Sequence, residues 1–359
     1  ISVCGSSLSV RSGSVNINDP SSLDNRPNKN KYGKSGMARH KSEIVIVGAG
    51  VAGLVAAHEC LERGESVTII DRHTEEDVGG LARTAFGGMA LVGTPLQRRM
   101  GIKDSPALAL SDWLSFADFG SADHWPKQWA EAYVEQSVER VFDWLKERGM
   151  RFLPAVNWVE RGIVVPGNSV PRYHILGGTG LGLVERFVAL LGAHRNSDKL
   201  RFVFGCRVDD LVAESGRIAG CRGVIEATGE ECEFTGDQTL VATGGINGNL
   251  QKVRDHWYWG DAPDDILNGS HPYCDGAMHD VVENKGGVVT HLENMWNYAA
   301  GIPHPFPRFE GHGLSLIPCK SALWLDHSGQ RIGPEPLVTG FDTHDMCGRL
   351  SAMEKPWSW

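Results

Sequence analysis

Little in this sequence ties it to metal, membrane or nucleic acid. Its eight cysteines include no C-x-x-C pair, so neither a zinc site nor a disulfide framework is indicated, and inert thiols in a reducing, cytoplasmic compartment are expected. No apolar run reaches the roughly eighteen residues that cross a bilayer; the longest, over 44–57, is interrupted by glycine. Positive charge is in deficit, with a net charge of −9 and a pI near 5.9, which argues against the basic face a nucleic-acid partner requires. Internal repeats are absent. Residues 1–36 lack an apolar h-region and any periodicity, and are rich in Ser, Asn, Asp, Lys and Gly. They read as neither signal peptide nor packed structure, so 1–41 is expected to be a disordered extension, with Met37 resembling a natural start.

What is present is a complete βαβ signature. At 359 residues the chain is long enough for about two domains. Ile44 to Val47 is a continuous apolar run suited to a buried parallel strand. Gly48, Gly50 and Gly53 follow at GxGxxG spacing, Val51 to Arg63 reads as a helix stopped at Gly64, and Ser66 to Ile70 is a second β-branched strand ending on Asp71. Strand, glycine turn, helix, strand and terminal acid together give the pattern its meaning. Gly48 permits the tight turn, Gly50 lets a pyrophosphate approach the backbone, and Gly53 lets helix and strand pack closely. The helix N-terminus then faces the phosphate charge, and Asp71 is placed to accept from the ribose hydroxyls. Expected dinucleotide contacts in this unit are Gly48, Gly50, Ala52, Gly53, Asp71 and Arg72.

Two further glycine pairs, Gly79-Gly80 and Gly87-Gly88, flank Leu81 to Phe86. Such a loop can lay its backbone along an extended ligand. With them the sequence resembles the flavoprotein family that includes fumarate reductase, succinate dehydrogenase flavoprotein subunits and 3-ketosteroid Δ1-dehydrogenases. The resemblance implies that Gly79, Gly80, Leu81 and Ala82 meet FAD phosphate, Ala82 standing where the family usually carries a hydroxyl. It also implies that Gly87 and Gly88 lie against the isoalloxazine ring. Farther along, a strand ends in Ala242-Thr243-Gly244-Gly245, a third motif that in the family returns to FAD, and the backbone at Val208 corresponds to an adenine contact. Asp275-Gly276 resembles the family's TGDG element, and Trp324 to Glu335 its cap-domain hairpin.

Between these motifs, Trp113 to Trp129 leads into a helix with Pro126 in its first turn, and Trp129, Tyr133, Val141 and Leu145 recur on one face; its tryptophans are expected in the core. Gly167 to Gly182 carries Arg172 and His174 before another helix. Leu200 to Ile225 reads as a β-ribbon turning at Glu214-Ser215-Gly216.

The expected fold is α/β: a doubly wound Rossmann-like FAD-binding domain over 42–250 with an inserted α+β cap over 251–359. The resemblance further implies that a C-terminal stretch of the family is missing. The expected function is an FAD-dependent dehydrogenase or reductase moving a hydride to or from a carbon–carbon bond beside a carbonyl or carboxylate. Its substrate is a small molecule, and its electron acceptor is left open. A histidine, His344, stands in the seat of the family's proton-donating arginine, with Asp345 placed to orient it and with Arg172 and His174 as alternates. An NAD-linked dehydrogenase and a non-catalytic nucleotide-binding fragment are the rivals; the extra glycine motifs oppose the first.

Overall fold

The computed structural model describes residues 37–162, 166–299, 301–316, 323–334 and 342–355. The expectation for residues 1–36 and the Glu335 end of the hairpin motif lie outside them. After β1 (Ala38–Lys41) comes the βαβ unit: β2 (Ile44–Val47), α1 (Val51–Glu62) and β3 (Val67–Ile70). The short β4 (Gly88–Ala90) precedes α2 (Pro95–Arg99), α3 (Pro106–Ala117) and α4 (His124–Gln136). A π-helical stretch, Ser137–Asp143, joins α4 to α5 (Trp144–Glu147). β5 (Phe152–Asn157), β6 (Tyr173–Leu176), α6 (Thr179–Gly192) and β7 (Leu200–Val203) follow. Then come β8 (Cys206–Glu214), β9 (Arg217–Ile225), β10 (Glu230–Thr235) and β11 (Gln238–Val241). The last elements are α7 (Leu250–Asp255), α8 (Ala277–Asn284), β12 (Gly301–Pro303), β13 (Gly313–Ser315) and α9 (Thr343–Ser351).

A parallel sheet in the order β11-β2-β3-β7 organises the molecule. Its central strands are covered on both faces, which is why they are apolar except for the buried Thr68 of β3. Alternation along β2 and β3 assigns the two sides. Ile46, Val67 and Ile69 pack with Leu54, Leu61, Val184 and Phe187 of α1 and α6. Val45, Val47 and Ile70 pack with Leu211, Cys221, Phe234 and Met278 on the other side. Residues of that second layer come largely from the sheet β1-β10-β9-β8. In its β8–β9 hairpin, Ser215 and Gly216 both have positive φ, 51° and 79°, the tight two-residue turn whose twist suits a hairpin.

Three sequence expectations change here. The disordered extension expected over 1–41 does not reach its predicted end, because Ala38–Lys41 form β1, paired in parallel with β10. Helix α3 was not foreseen, although Ser105 caps it by accepting the Leu108 N–H at 3.2 Å and Pro106 opens it. The tryptophans expected in the core are not all there: Trp125 and Trp129 are 69% and 74% exposed. Within α4 the buried positions are Ala130 and Val134, four residues apart on one face, so the neighbouring Trp129 is left on the surface, while Leu145, beyond the π-helical stretch, enters the core.

Candidate functional site

The glycine turn leaves β2 at its C-terminal end, between β3 and β11. In open α/β sheets ligands bind at such ends, where neighbouring connections diverge. Gly48 has φ 107°, and its hydrogens face the Ala242 carbonyl at the end of β11; a Cβ on Gly53 would run into the Gly48 carbonyl oxygen. Gly50 differs from both. A Cβ there would meet nothing within 4 Å, and its φ −70°, ψ 179° suits any residue. It is the N-cap of α1 and supplies no side-chain cap, so amides of the first helical turn, including that of the exposed Ala52, remain for a ligand. The second glycine motif closes the cradle: Gly79 bridges Gly50, and its N–H donates to Ala49 O at 3.1 Å.

Asp71 has a role the sequence reading did not assign. Its Oδ2 accepts the Ala49 N–H at 2.6 Å and its Oδ1 the His73 N–H at 2.8 Å. The carboxylate therefore braces the glycine turn itself, keeping only its remaining lone pairs for a ribose. Arg72 is engaged bidentately by Glu226 at 2.9 and 3.0 Å, which raises its pKa, and it lies 4.2 Å over the Tyr273 ring. Asp275 stands 3.6 Å from it and accepts the Ala277 N–H at the start of α8.

From this cradle an open cleft of about 2010 Å³ extends toward the C-terminal elements. Val51, Gly80, Leu81, Ala82, Gly87 and Gly88 line its near side. The Tyr173 ring occupies the place a Cβ on Gly88 would take. Gly244, at φ 81°, approaches Cys274, whose Sγ lies 2.8 Å from where a Cβ would stand. The far wall carries Trp296, Tyr298, Leu314, Leu316 and Leu323, all with substantial exposed apolar surface. Val208 is not among the residues lining the cleft; it pairs with Gly223 of β9, and its side chain packs against the second core layer.

The three catalytic candidates are not brought together. Arg172 is 3% exposed, held by Asp104 at 2.9–3.2 Å, Asp112 at 2.6 Å and Asn168 at 2.8 Å. Fully committed to buried carboxylates, it is a structural cation. His174 is completely buried: Nδ1–H donates to Arg172 O at 2.7 Å, so Nε2 accepts the Thr94 hydroxyl at 2.7 Å. Both nitrogens are occupied in a neutral ring, and burial lowers its pKa. His344 is exposed, stacks on Tyr258 with centroids 3.9 Å apart, and does not line the cleft. Asp345 pairs with Arg349 at 2.9 Å instead of orienting it. The sequence reading placed all three by motif context, which carries no information about where a side chain is buried. The cleft instead brings together Tyr173, Tyr298, His304 and His312, which no local motif marks.

His174 gives a prediction of sign. Its folded pKa lies below the ordinary 6.5, so below that pH the unfolded chain takes up a proton the folded chain refuses. Stability is therefore expected to fall as pH drops from 7 toward 5, and His174→Gln to flatten that slope in urea titrations at each pH. An unchanged slope would assign the loss to other histidines.

Among the described residues no cluster of three or more His, Cys, Asp or Glu is disposed to hold a metal, and no helix is long and apolar enough to cross a membrane. Burial pushes the thiols of Cys206, Cys221 and Cys347 up to about 12, which makes them inert.

Known proteins resemble this chain along most of its length. A KsdD-like steroid dehydrogenase of Mycolicibacterium smegmatis is 40% identical over 337 residues, covering 89% of this chain and 61% of the relative. Another of Mycobacterium tuberculosis is 40% identical over the same length, covering 59% of the relative. The chain thus spans about three fifths of the curated relatives it matches. In structure, it superposes on 3-ketosteroid-Δ4-(5α)-dehydrogenase from Rhodococcus jostii, solved with 4-androstene-3,17-dione, with a TM-score of 0.64 at 22% identity, covering 88% of this chain and 64% of that one. Residues 43–349 match the FAD binding domain family, and the chain belongs to that family.

Proposed function

We propose that this chain is the FAD-binding part of an oxidoreductase that moves a hydride between flavin N5 and a carbon–carbon bond beside a carbonyl or carboxylate, on a ketosteroid- or enoate-like substrate. In this reading residues 42–250 form a doubly wound, Rossmann-like FAD domain, and 251–359 form the inserted cap. One observation carries it: a single cleft runs from the glycine cradle to a broad apolar wall, so a dinucleotide and an apolar substrate would meet in one space. The relatives' steroid-dehydrogenase names agree with that wall.

The cradle fits FAD. Gly50 leaves its space open, and the uncapped start of α1 offers amides and positive dipole to a diphosphate. Bound FAD supplies the hydride chemistry at its N5. The chain's own residues bind, orient and exclude water: Gly87 and Gly88 give a flat approach beside Tyr173, and Trp296, Tyr298 and Leu314 present apolar surface to the substrate. Proton transfer then falls to the titratable groups lining the cleft, in place of His344. Tyr173 is held protonated there, since burial and Tyr298 push its pKa up. The free thiols fit a reducing, cytoplasmic compartment.

The test is direct. Purified protein is expected to carry flavin absorbance, and to reduce an artificial electron acceptor when given a 3-ketosteroid. Protein without flavin that is thermally stabilised by NAD would overturn the assignment. A second prediction arises from Asp71. Asp71→Ala removes charge-assisted hydrogen bonds of about 1.5–3 kcal/mol each, so FAD affinity is expected to fall ten- to a hundredfold. Because the same carboxylate braces Ala49 and His73, urea stability should fall with it. Affinity lost at unchanged stability would restrict Asp71 to the ligand.

A further inference from the structure

Beside the cradle lies a cluster that the glycine motifs do not include. His73 follows two residues after Asp71, and its ring meets His271 edge-on at 4.5 Å and Tyr273 at 4.7 Å. All three line the same cleft as Val51 and Gly80. The His271 tautomer is fixed by its own loop: Nδ1 accepts the Tyr273 N–H at 3.3 Å, so the neutral ring carries its proton on Nε2. Nε2 has no hydrogen-bond partner among the described residues and is not sealed from solvent. It is a donor left to the cleft. Burial and His73 lower the His271 pKa against the opposing pull of Asp71 and Asp77, which keeps the ring neutral. Arg72, which follows Asp71 in the chain, is engaged by Glu226 and Tyr273, with Asp275 beside it. A diphosphate entering here would face Asp71 and Asp77 and needs donors beyond the α1 amides.

We propose that His271 donates its Nε2–H to a phosphate oxygen of the bound dinucleotide, with His73 and Tyr273 as positioning residues that hold the ring. This rests on the FAD reading above and adds a cofactor ligand from the C-terminal side of the cleft. Occupancy of the cradle would thereby be tied to the segment that continues into the cleft wall.

The experiment titrates the purified apoprotein with FAD, ADP and adenosine. His271→Asn keeps an acceptor for the Tyr273 N–H but cannot reach the Nε2 position, whereas His271→Gln places an amide donor there. His271→Asn is expected to bind FAD and ADP at least tenfold more weakly, His271→Gln to stay within about threefold of wild type, and adenosine affinity to be unchanged in both. His271→Asn that binds FAD and ADP as wild type does, or loses adenosine equally, overturns the proposal and leaves the FAD reading standing. Wild type that binds neither FAD nor ADP overturns the FAD reading and the proposal with it. Should His271→Asn fail to fold, isotope-labelled histidine in the wild-type protein decides: ADP should shift one imidazole N–H signal that adenosine leaves in place, and no such shift overturns the proposal.

Discussion

Gly50→Val is expected to fold as the wild type does and to lose FAD by a hundredfold or more in affinity. The two halves of that result have separate causes. A Cβ at Gly50 meets no atom within 4 Å and its backbone is in an ordinary extended conformation, so the folded chain accommodates the branched side chain. The space it fills is the one a pyrophosphate needs to reach the first amides of α1. Losing two charge-assisted hydrogen bonds of about 1.5–3 kcal/mol each accounts for the factor. Gly53→Val is the control with the opposite signature. There the new side chain strikes the Gly48 carbonyl, and relief requires prying α1 from β2, so the protein itself should be destabilised or fail to fold. Flavin fluorescence for binding and circular dichroism for folding separate the pair. If Gly50→Val retains FAD, the open space is not the cofactor's.

The largest stability effect is expected at Arg172. Its guanidinium is 3% exposed and meets Asp104, whose side chain is fully buried, and Asp112, whose side chain is 14% exposed. Burial pushes the Asp112 carboxyl upward, but Ser169 and the Arg172 guanidinium outweigh that and hold it below the ordinary carboxylate range. Arg172→Ala would leave both acids without their cation in low dielectric, a loss of about 3–5 kcal/mol. Against a typical total of roughly 5–15 kcal/mol, that is enough to move a urea midpoint far down. Arg172→Lys should recover only part of it, because an ammonium cannot span two carboxylates and Asn168 as the planar fork does. A stable Arg172→Ala protein that binds FAD but fails in turnover would return Arg172 to the active site.

Local pattern made the cradle legible. Gly48, Gly50, Gly53 and the strands around them lie within some thirty consecutive residues, and steric demands at a tight turn are visible in residue type alone. The β8–β9 hairpin was legible for the same reason, its Ser215-Gly216 turn being a local choice. Helix phase across Gln136 was not, because a π-helical stretch is set by packing and leaves no residue signature in this sequence.

By itself, then, the sequence determined the glycine turn and which strands carry it. Tertiary structure alone decided which polar side chains are free to act. Arg172 meets acids 60 and 68 residues away and His174 a threonine 80 residues away, so both are structural. His344 lies against Tyr258, 86 residues earlier. His73 and His271, distant in the chain, share an edge at the cradle. Burial and hydrogen-bond partners set what an ionisable group can do, and for these residues both come from segments that only folding brings near.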